Sequence, residues 1–385
     1  MAADAEKLVR SLIAHPASDG VDGLARFLLR FEAIASSRIE GLQVSPQQVA
    51  LAELADTDAG VSKEFTATAR LVANNVTVVR RAVTALVAAN TVSLDDVLDL
   101  HRVLLPEERH HGLRQVQNWV GGGHRHPLDA EFVPPPPEYV APLMEDLLGY
   151  LNGAQHAPLL QAAMVHAQFE TIHPFTDGNG RVGRALIHTV LARRGLTPNA
   201  ILPISLVLLT QSDRYVAGLT DYRYAGEPSS AEARSALDSW LRVFLAASTK
   251  AVEQAEAFAD ELTQLQEEWR QRHHAYRASQ GLRPVPRADA AVARLLDVLP
   301  AVPVVTARTV ERLLSVTHPA ARQALEELAK GGILHPKQVE RNTTGYLARE
   351  IFDLLTLTER RLASTRWDTR ESLPNRTVPA RPQQR

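Results

Sequence analysis

The sequence predicts a mainly α-helical protein: a helical bundle interrupted by one small β-hairpin, followed by a winged helix-turn-helix domain. Three observations predict it. Apolar residues recur at helical spacing through most of the first 275 positions. One short strand-like stretch, punctuated by glycine and proline, lies among them at 115–137. Beyond a Pro- and Gly-containing segment at 280–287, which reads as a linker, three short helical patterns and a turn-rich pair of strands follow in close order.

Each element rests on local signals. Leu24, Phe27, Leu28, Phe31, Ile34 and Ala35 follow the helical period, and Gly41 stops that helix. Helical patterns continue over 65–88 and 94–105, the second opened by Ser93 and Asp95. Residues 115–120 and 131–133 read as the strands of a hairpin around the glycines at 121–123. Pro134 to Pro137 exclude a helix there and enforce an extended strap. Helices return over 139–151 and 159–171, from about 181 to 194, and then over 231–247 and 252–275. Towards the end, 289–299 is helical, Thr306 caps a helix through Leu314, and Thr317 caps another through Lys330. Gly331 and Gly332 supply a left-handed stop, and 333–334 and 346–347 flank the turn-rich ERNTTG as a wing. The tail from Ser364 is polar and rich in Arg and Pro, a composition expected to be disordered.

At 385 residues the chain is long enough for two or three domains, and 45% apolar content gives each a sizeable core. A net charge of −2 provides no overall attraction to nucleic acid, although a local basic face is compatible with it. The absence of cysteine excludes disulfides, thiolate nucleophiles and thiolate-bound metals. MAADAEKLVR at the N-terminus has no apolar core of the signal-peptide kind. The longest apolar run, 201–209, is broken by Pro203 and is too short to span a bilayer. The expectation is a cytoplasmic protein with no membrane partner.

The chemistry concentrates in HPFTDGNGRVGR, residues 173–184. A glycine-rich turn leading into a helix N-terminus makes an anion site, because its backbone N–H groups and the helix dipole both favour negative charge. Gly178 and Gly180 permit positive φ and close approach of the backbone to a phosphate, and Asn179 between them offers a neutral donor. Arg181 and Arg184, three residues apart, share one helix face and can clamp phosphate oxygens. Asp177 suits a phosphate site as the ligand of a Mg²⁺ that bridges phosphate oxygens. His173, at the entrance to the loop, can take a proton from an incoming hydroxyl, and Phe175 points into the core to fix the loop. A glycine turn alone, or a histidine alone, is ordinarily structural; their concentration in twelve residues points to nucleotidyl transfer.

This segment resembles the Fic family signature, H-x-F-x-D/E-G-N-G-R-x-x-R, at every fixed position. HAQFETI at 166–172, NWVGG at 118–122 and FVPPPPEYV at 132–140 fit the same family, so the resemblance covers roughly residues 20–250. It implies an all-α Fic fold and transfer of AMP from ATP to a protein Ser, Thr or Tyr hydroxyl, with release of pyrophosphate. It further implies His173 as base, Asp177 as Mg²⁺ ligand, Gly178 to Gly180 as the anion hole and Arg184 as a γ-phosphate contact. The hairpin around 119–133 would be a flap that aligns the target by strand addition. The acceptor is then a protein bearing a hydroxyl, the chain itself included.

From spacing alone Glu40, in the last turn of the first long helix, reads as a solvated surface carboxylate opposing the helix dipole. The resemblance implies otherwise. Ser36, Glu40 and Gly41 match the family's inhibitory motif, S/T-x-x-x-E-G/N, which would place Glu40 on Arg184 where the γ-phosphate belongs. Some family members with such a glutamate also remove AMP. The implied division of the chain is an N-terminal region with the inhibitory helix (1–55), a Fic core (56–250), a helical linker (251–284), the winged helix-turn-helix (285–357) and a basic tail (358–385).

Between 285 and 350 nine Lys or Arg stand against seven Asp or Glu, a weak positive excess for a DNA reader. Arg322 and Gln323 are candidate DNA contacts, balanced by Glu326 and Glu327, and Arg360, Arg361 and Arg366 follow in the tail. A protein-contact role for this domain fits equally well. Tyr215, Tyr222 and Tyr224 are ordinary packing residues on this reading. The leading expectation is an autoinhibited adenylyltransferase. Phosphoryl transfer or another nucleotide at the same site, and a nucleotide-sensing DNA-binding regulator, are the alternatives; oligomers are compatible with all three.

Overall fold

The computed structural model describes residues 1–13, 21–58, 61, 65–121, 127–198 and 200–356. The tail, with Arg360, Arg361 and Arg366, lies outside the described residues, as do the glycines at 122 and 123.

The fold is mainly helical, as expected, and is organised around one buried helix. Helices α1 (Ala2–Ile13), α2 (Val21–Ile39), α3 (Pro46–Thr57), α4 (Ala67–Val83), α5 (Ala85–Ala88) and α6 (Leu94–Leu104) come first. Then follow α7 (Pro137–Asn152), α8 (Pro158–Ile172), α9 (Asn179–Arg193), α10 (Ile204–Thr210), α11 (Ser212–Tyr222) and α12 (Ala231–Ser279). Every residue of α9 from Asn179 to Ala192 is buried, so it is the axis on which α2, α4, α5, α6 and α8 pack. The loop before α9 therefore springs from the most constrained part of the molecule.

Helices α1 and α3 were not apparent from periodicity, and the pattern over 65–88 divides into α4 and α5 at Thr84. Residues 67–88 are long and apolar enough to cross a membrane on length and composition, but α2, α3, α6 and α9 pack against the helices they form. Ser93 caps α6 through a reciprocal capping box with Asp96, a tighter N-terminus than a lone serine gives. Pro137, placed in the strap by sequence, occupies the first turn of α7, where its missing N–H costs nothing.

Two expectations narrow. Among the described residues of the hairpin at 115–133, the strand pairing is one antiparallel bridge between Val120 and Phe132, with Val120 N–H donating to Phe132 O at 2.8 Å. The two helices expected at 231–247 and 252–275 are one helix, α12, roughly 70 Å long. Ser248 and Thr249 look like a break. Their hydroxyls instead donate back to Phe244 O and Leu245 O, at 2.9 and 3.0 Å, and the helix continues. The segment read as a helical linker (251–284) is largely the second half of α12, where Phe258 packs between Phe27 and Phe31 of α2.

The remaining elements are α13 (Ala291–Val298), β1 (Val304–Val305), α14 (Ala307–Leu314), α15 (His318–Lys330), β2 (His335–Glu340) and β3 (Thr343–Leu347). The strands form an antiparallel sheet in the order β1-β3-β2, with Val304 and His335 both opposite Leu347. Thr306 and Thr317 cap α14 and α15 as expected. After α15, Ile333 N–H donates to Leu328 O and Gly332 N–H to Ala329 O, with Gly332 at φ +71°, which is the glycine-terminated stop read from the sequence. This C-terminal unit is fastened on two sides. Arg272 grips Glu350 with two 2.8 Å contacts and His273 meets Glu327 at 2.6 Å, both from α12. On the other side Thr306 Oγ1 donates to Asp58 at 2.6 Å and Arg30 of α2 donates to Ala301 O at 3.2 Å.

Candidate active site

Helix α8 ends at Ile172, and His173 caps it with φ +49° and ψ 61°, a left-handed conformation that costs a non-glycine residue about 1–2 kcal/mol. Something must hold it there. Arg114, only 2% exposed, donates through Nε to His173 O at 2.9 Å and through Nη2 to Ile172 O at 3.4 Å. The same guanidinium binds Val116 O and Pro135 O, so one buried side chain ties the strap to the loop. Burial depresses its pKa, but guanidinium remains charged. Sequence reading passed over Arg114 because nothing in GLRQ separates it from a surface arginine.

Phe175 is fully buried, as expected, and its ring stacks on His101 of α6 at 3.8 Å between centroids and 10° between planes. His101 Nε2 donates to Asp177 O at 2.9 Å, which anchors the loop from below. Burial holds His101 neutral, with its pKa lowered to about 4. Sequence gave no hint of His101 beyond its place on an apolar helix face.

Asn179 departs from its expected role. Its Oδ1 accepts from Phe175 N and its Nδ2 donates to Phe175 O, both at 2.8 Å, so the amide braces the loop internally. The same Nδ2 lies 3.2 Å from His173 Nδ1, and Asn118 Nδ2 lies 2.9 Å from that nitrogen. Burial lowers the His173 pKa to about 4, and the imidazole is neutral at physiological pH. Any anion contact from Asn179 thus comes from its backbone.

Of the two glycines expected to allow positive φ, only Gly178 adopts it; Gly180 lies inside α9. Gly178 caps α9 at φ +80°, where a side chain would be strained and would press on Leu104. Asp177 Oδ1 accepts from Gly178 N–H at 2.5 Å and lies 3.4 Å from Arg181 Nη2. Arg181 is 3% exposed, and its Nε and Nη1 are buried without a hydrogen-bond partner. Unpaired guanidinium N–H groups at a helix N-terminus are poised for an anion.

Arg184 reaches α2. Its Nη2 donates to Glu40 Oε1 at 2.6 Å and to Ser36 O at 2.8 Å, and its Nε donates to Ser36 Oγ at 2.9 Å. Burial works against its charge, and Glu40, Tyr215 and Glu170 together more than offset this, raising its pKa above the ordinary guanidinium value. Glu40 follows α2 directly, and Gly41 turns the chain at φ +80°. The carboxylate lies so close to the loop that a Cβ on Gly180 would overlap it. Glu40 keeps about a third of its side chain exposed yet is paired with buried Arg184, so it is not a free surface carboxylate. Tyr215, assigned to packing, accepts from Arg184 Nη1 at 3.3 Å and shares a 2.8 Å hydrogen bond with His166.

A cavity of about 990 Å³ lies elsewhere, lined by residues of α2, α3 and α4 and by the segment around α14, and no loop residue lines it. The 173–184 loop instead carries the Glu40–Arg184 ion pair, with the Glu40 carboxylate against Gly180.

Residues 91–191 match the family model described as Fic/DOC family. A protein adenylyltransferase fic-1 of Caenorhabditis elegans is 34% identical over 139 residues, covering 34% of this chain and 25% of that protein. A protein adenylyltransferase Fic of Culex quinquefasciatus is 38% identical over 114 residues, 28% of this chain and 21% of that protein. The chain thus spans about a quarter of the length of these curated relatives. Among solved structures, a Fic family protein from Desulfovibrio desulfuricans G20 shares the fold with a TM-score of 0.54 at 20% identity, covering 90% of this chain and 95% of that one. Residues 134–508 of Fic-1 from C. elegans give a TM-score of 0.51 at 21% identity, covering 68% and 72%.

Proposed function

We propose, from the premise that residues 91–191 of this chain form a Fic domain, that the protein is an adenylyltransferase transferring AMP from ATP to a protein hydroxyl, and that Glu40 restrains it. The observation that carries this reading is the loop itself. It sets a neutral imidazole at one end of a glycine turn and a buried arginine at the other, with an internal carboxylate on the arginine.

In the proposed reaction the oxygen of a Ser, Thr or Tyr hydroxyl attacks the α-phosphorus of ATP. The new O–P bond forms as the bond from α-phosphorus to the bridging oxygen breaks, and pyrophosphate departs with that electron pair. His173 accepts the hydroxyl proton at Nε2, the ring nitrogen not engaged by Asn118 and Asn179. Backbone N–H groups of Gly178 to Gly180 and the free N–H groups of Arg181 bind phosphate oxygens. Arg184 takes the γ-phosphate once Glu40 leaves it.

Asp177 is the residue that would hold Mg²⁺. No group of three His, Asp or Glu able to cage a metal occurs among the described residues, and the Asp177 carboxylate is 57% exposed. Such a site fits an ion completed by phosphate oxygens and water, which supplies neutralisation of phosphate charge.

We read the α13–β3 unit as a winged helix acting in protein contacts or on DNA. Arg322 on α15 is already paired with Glu326 at 2.8 Å, which weakens a phosphate-binding face. We place the chain in the cytoplasm, away from a bilayer.

The experiment supplies α- and γ-labelled ATP with Mg²⁺ to the Glu40→Gly chain and to Glu40→Gly with His173→Ala. AMP transfer deposits α label only, dependent on His173. Deposition of γ label would replace this reading with phosphoryl transfer.

A further inference from the structure

His173 Nδ1 faces two amide nitrogens and no acceptor. Asn118 Nδ2 stands 2.9 Å from it and Asn179 Nδ2 3.2 Å. Neither amide is free to be turned without loss. Asn179 is fixed by its two hydrogen bonds to Phe175, and Asn118 Nδ2 also donates to Phe175 O at 3.0 Å and approaches His173 O at 3.4 Å. A nitrogen receiving N–H donors carries a lone pair, so the neutral ring bears its proton on Nε2. In that form Nε2 cannot accept a proton from a hydroxyl.

The other tautomer needs an acceptor at Nδ1, and the structure holds one in reserve. Asn118 Oδ1 is buried without a hydrogen-bond partner. Rotation about the Asn118 Cβ–Cγ bond exchanges Oδ1 and Nδ2, and Oδ1 then accepts from Nδ1–H. That turn gives up the contacts to Phe175 O and His173 O, sets Oδ1 beside those two carbonyls and moves Nδ2 to a position without a partner, so Nδ1–H must supply the compensating hydrogen bond. Asn179 keeps Phe175 O for its amide protons. Asn118 lies two residues before Val120, whose bridge to Phe132 is the only pairing described in the flap.

We propose that Asn118 is a positioning residue that sets which nitrogen of His173 carries the ring proton, and so switches the imidazole between a resting and a basic tautomer. This rests on His173 being the base of the reading above. Its side-chain contacts are with the His173 ring and with the carbonyls of His173 and Phe175, so it acts on the base and its loop.

The test uses the full chain with Glu40→Gly, alone and combined with Asn118→Ala, Asn118→Asp or His173→Ala. Nitrogen-15 NMR of the imidazole reads the tautomer without reference to activity. The parent shows the proton on Nε2, and Asn118→Asp, a permanent acceptor, moves it to Nδ1. Asn118→Ala lowers kcat for AMP transfer about tenfold or more with KM for ATP within about twofold, the signature of a lost proton-transfer contribution. Asn118→Asp recovers transfer relative to Asn118→Ala and moves the acid limb of the pH profile upward by about one unit, since an adjacent carboxylate favours the charged imidazole. The charged groups around the ring are Asp177, Arg114 and Arg223, with Glu40 removed, and none of them changes between these variants. An unchanged tautomer in Asn118→Asp, or parental kcat and pH profile in Asn118→Ala, overturns the proposal. Undiminished transfer by the His173→Ala protein overturns instead the assignment of His173 as base, and the NMR result then stands by itself.

Discussion

Glu32 of α2 and His188 of α9, both fully buried, meet at 2.9 Å and form the lowest rung of a ladder between the two helices. One turn further along each helix Ser36 meets Arg184, and one turn beyond that Glu40 lies on Gly180. The helices run antiparallel, so each four-residue step up α2 matches a four-residue step down α9. Position of the carboxylate at the loop is thus set by contacts two turns away.

Glu32 accepts from Ser205 N–H at 2.9 Å and from the Ser205 hydroxyl as well as engaging His188. Glu32→Ala strands these donors in a dry interior and is expected to cost about 3–5 kcal/mol. Urea unfolding measures that loss. Labelling from α-labelled ATP should rise at the same time, although Glu40 is intact, because α2 loses its anchor. A destabilised protein with unchanged labelling would separate the ladder from restraint.

Ser36→Ala removes the acceptor of Arg184 Nε and leaves Glu40 in place. A buried charged donor without its partner costs about 1–3 kcal/mol. Labelling by this variant is expected to fall between the intact chain and Glu40→Gly. Equality with the intact chain would mean that Glu40 alone carries the restraint.

Arg114→Lys keeps the charge but cannot reach four carbonyls, because a single ammonium lacks the guanidinium fork. In the Glu40→Gly background kcat is expected to fall at least about tenfold, with the thermal midpoint lowered too. A lowered midpoint with undiminished kcat would show that Arg114 supports the strap and not His173.

Stability should fall on acidification. Burial holds His101 and His173 at about 4 and His166 at about 3, against 6.5 for an ordinary histidine. Between about 4 and 6.5 the unfolded chain binds three protons that the folded chain refuses, so stability present above 6.5 is lost as pH falls through that window. Burial pushes Glu170 up to about 7 from 4.5, and this single group acts in the opposite sense between those values. His273, also lowered by burial, acts in the same sense as the three, so at least two net protons remain where the windows overlap, a slope of about 2.7 kcal/mol per pH unit or more at its steepest. Unfolding by urea at pH 7 and pH 5 reads the balance, and a more stable protein at pH 5 would refute it.

What the sequence disclosed and what it withheld divide along contact range. Caps at Thr306 and Thr317, the glycine stop at Gly332 and the glycine turn before α9 are local patterns, and each was legible. Arg114, Asn118 and Tyr215 act on residues 31–59 positions away, and Ser36 acts on Arg184 across 148. No spacing within a window reports such partners. Glu40 read alone as a surface charge; its family resemblance, not its helix position, pointed to Arg184. The continuity of α12 was hidden because Ser248 and Thr249 satisfy themselves inside a helix, which their propensities disfavour.

The central claim is that a complete site is held closed by Glu40. It is tested most directly by intact-mass measurement of the Glu40→Gly chain and the unaltered chain after incubation with Mg²⁺ and ATP, with Glu40→Gly plus His173→Ala as control. The Glu40→Gly chain, or a protein supplied with it, is expected to gain AMP, the unaltered chain little, and the control none. Equal AMP addition by the unaltered and Glu40→Gly chains would contradict it.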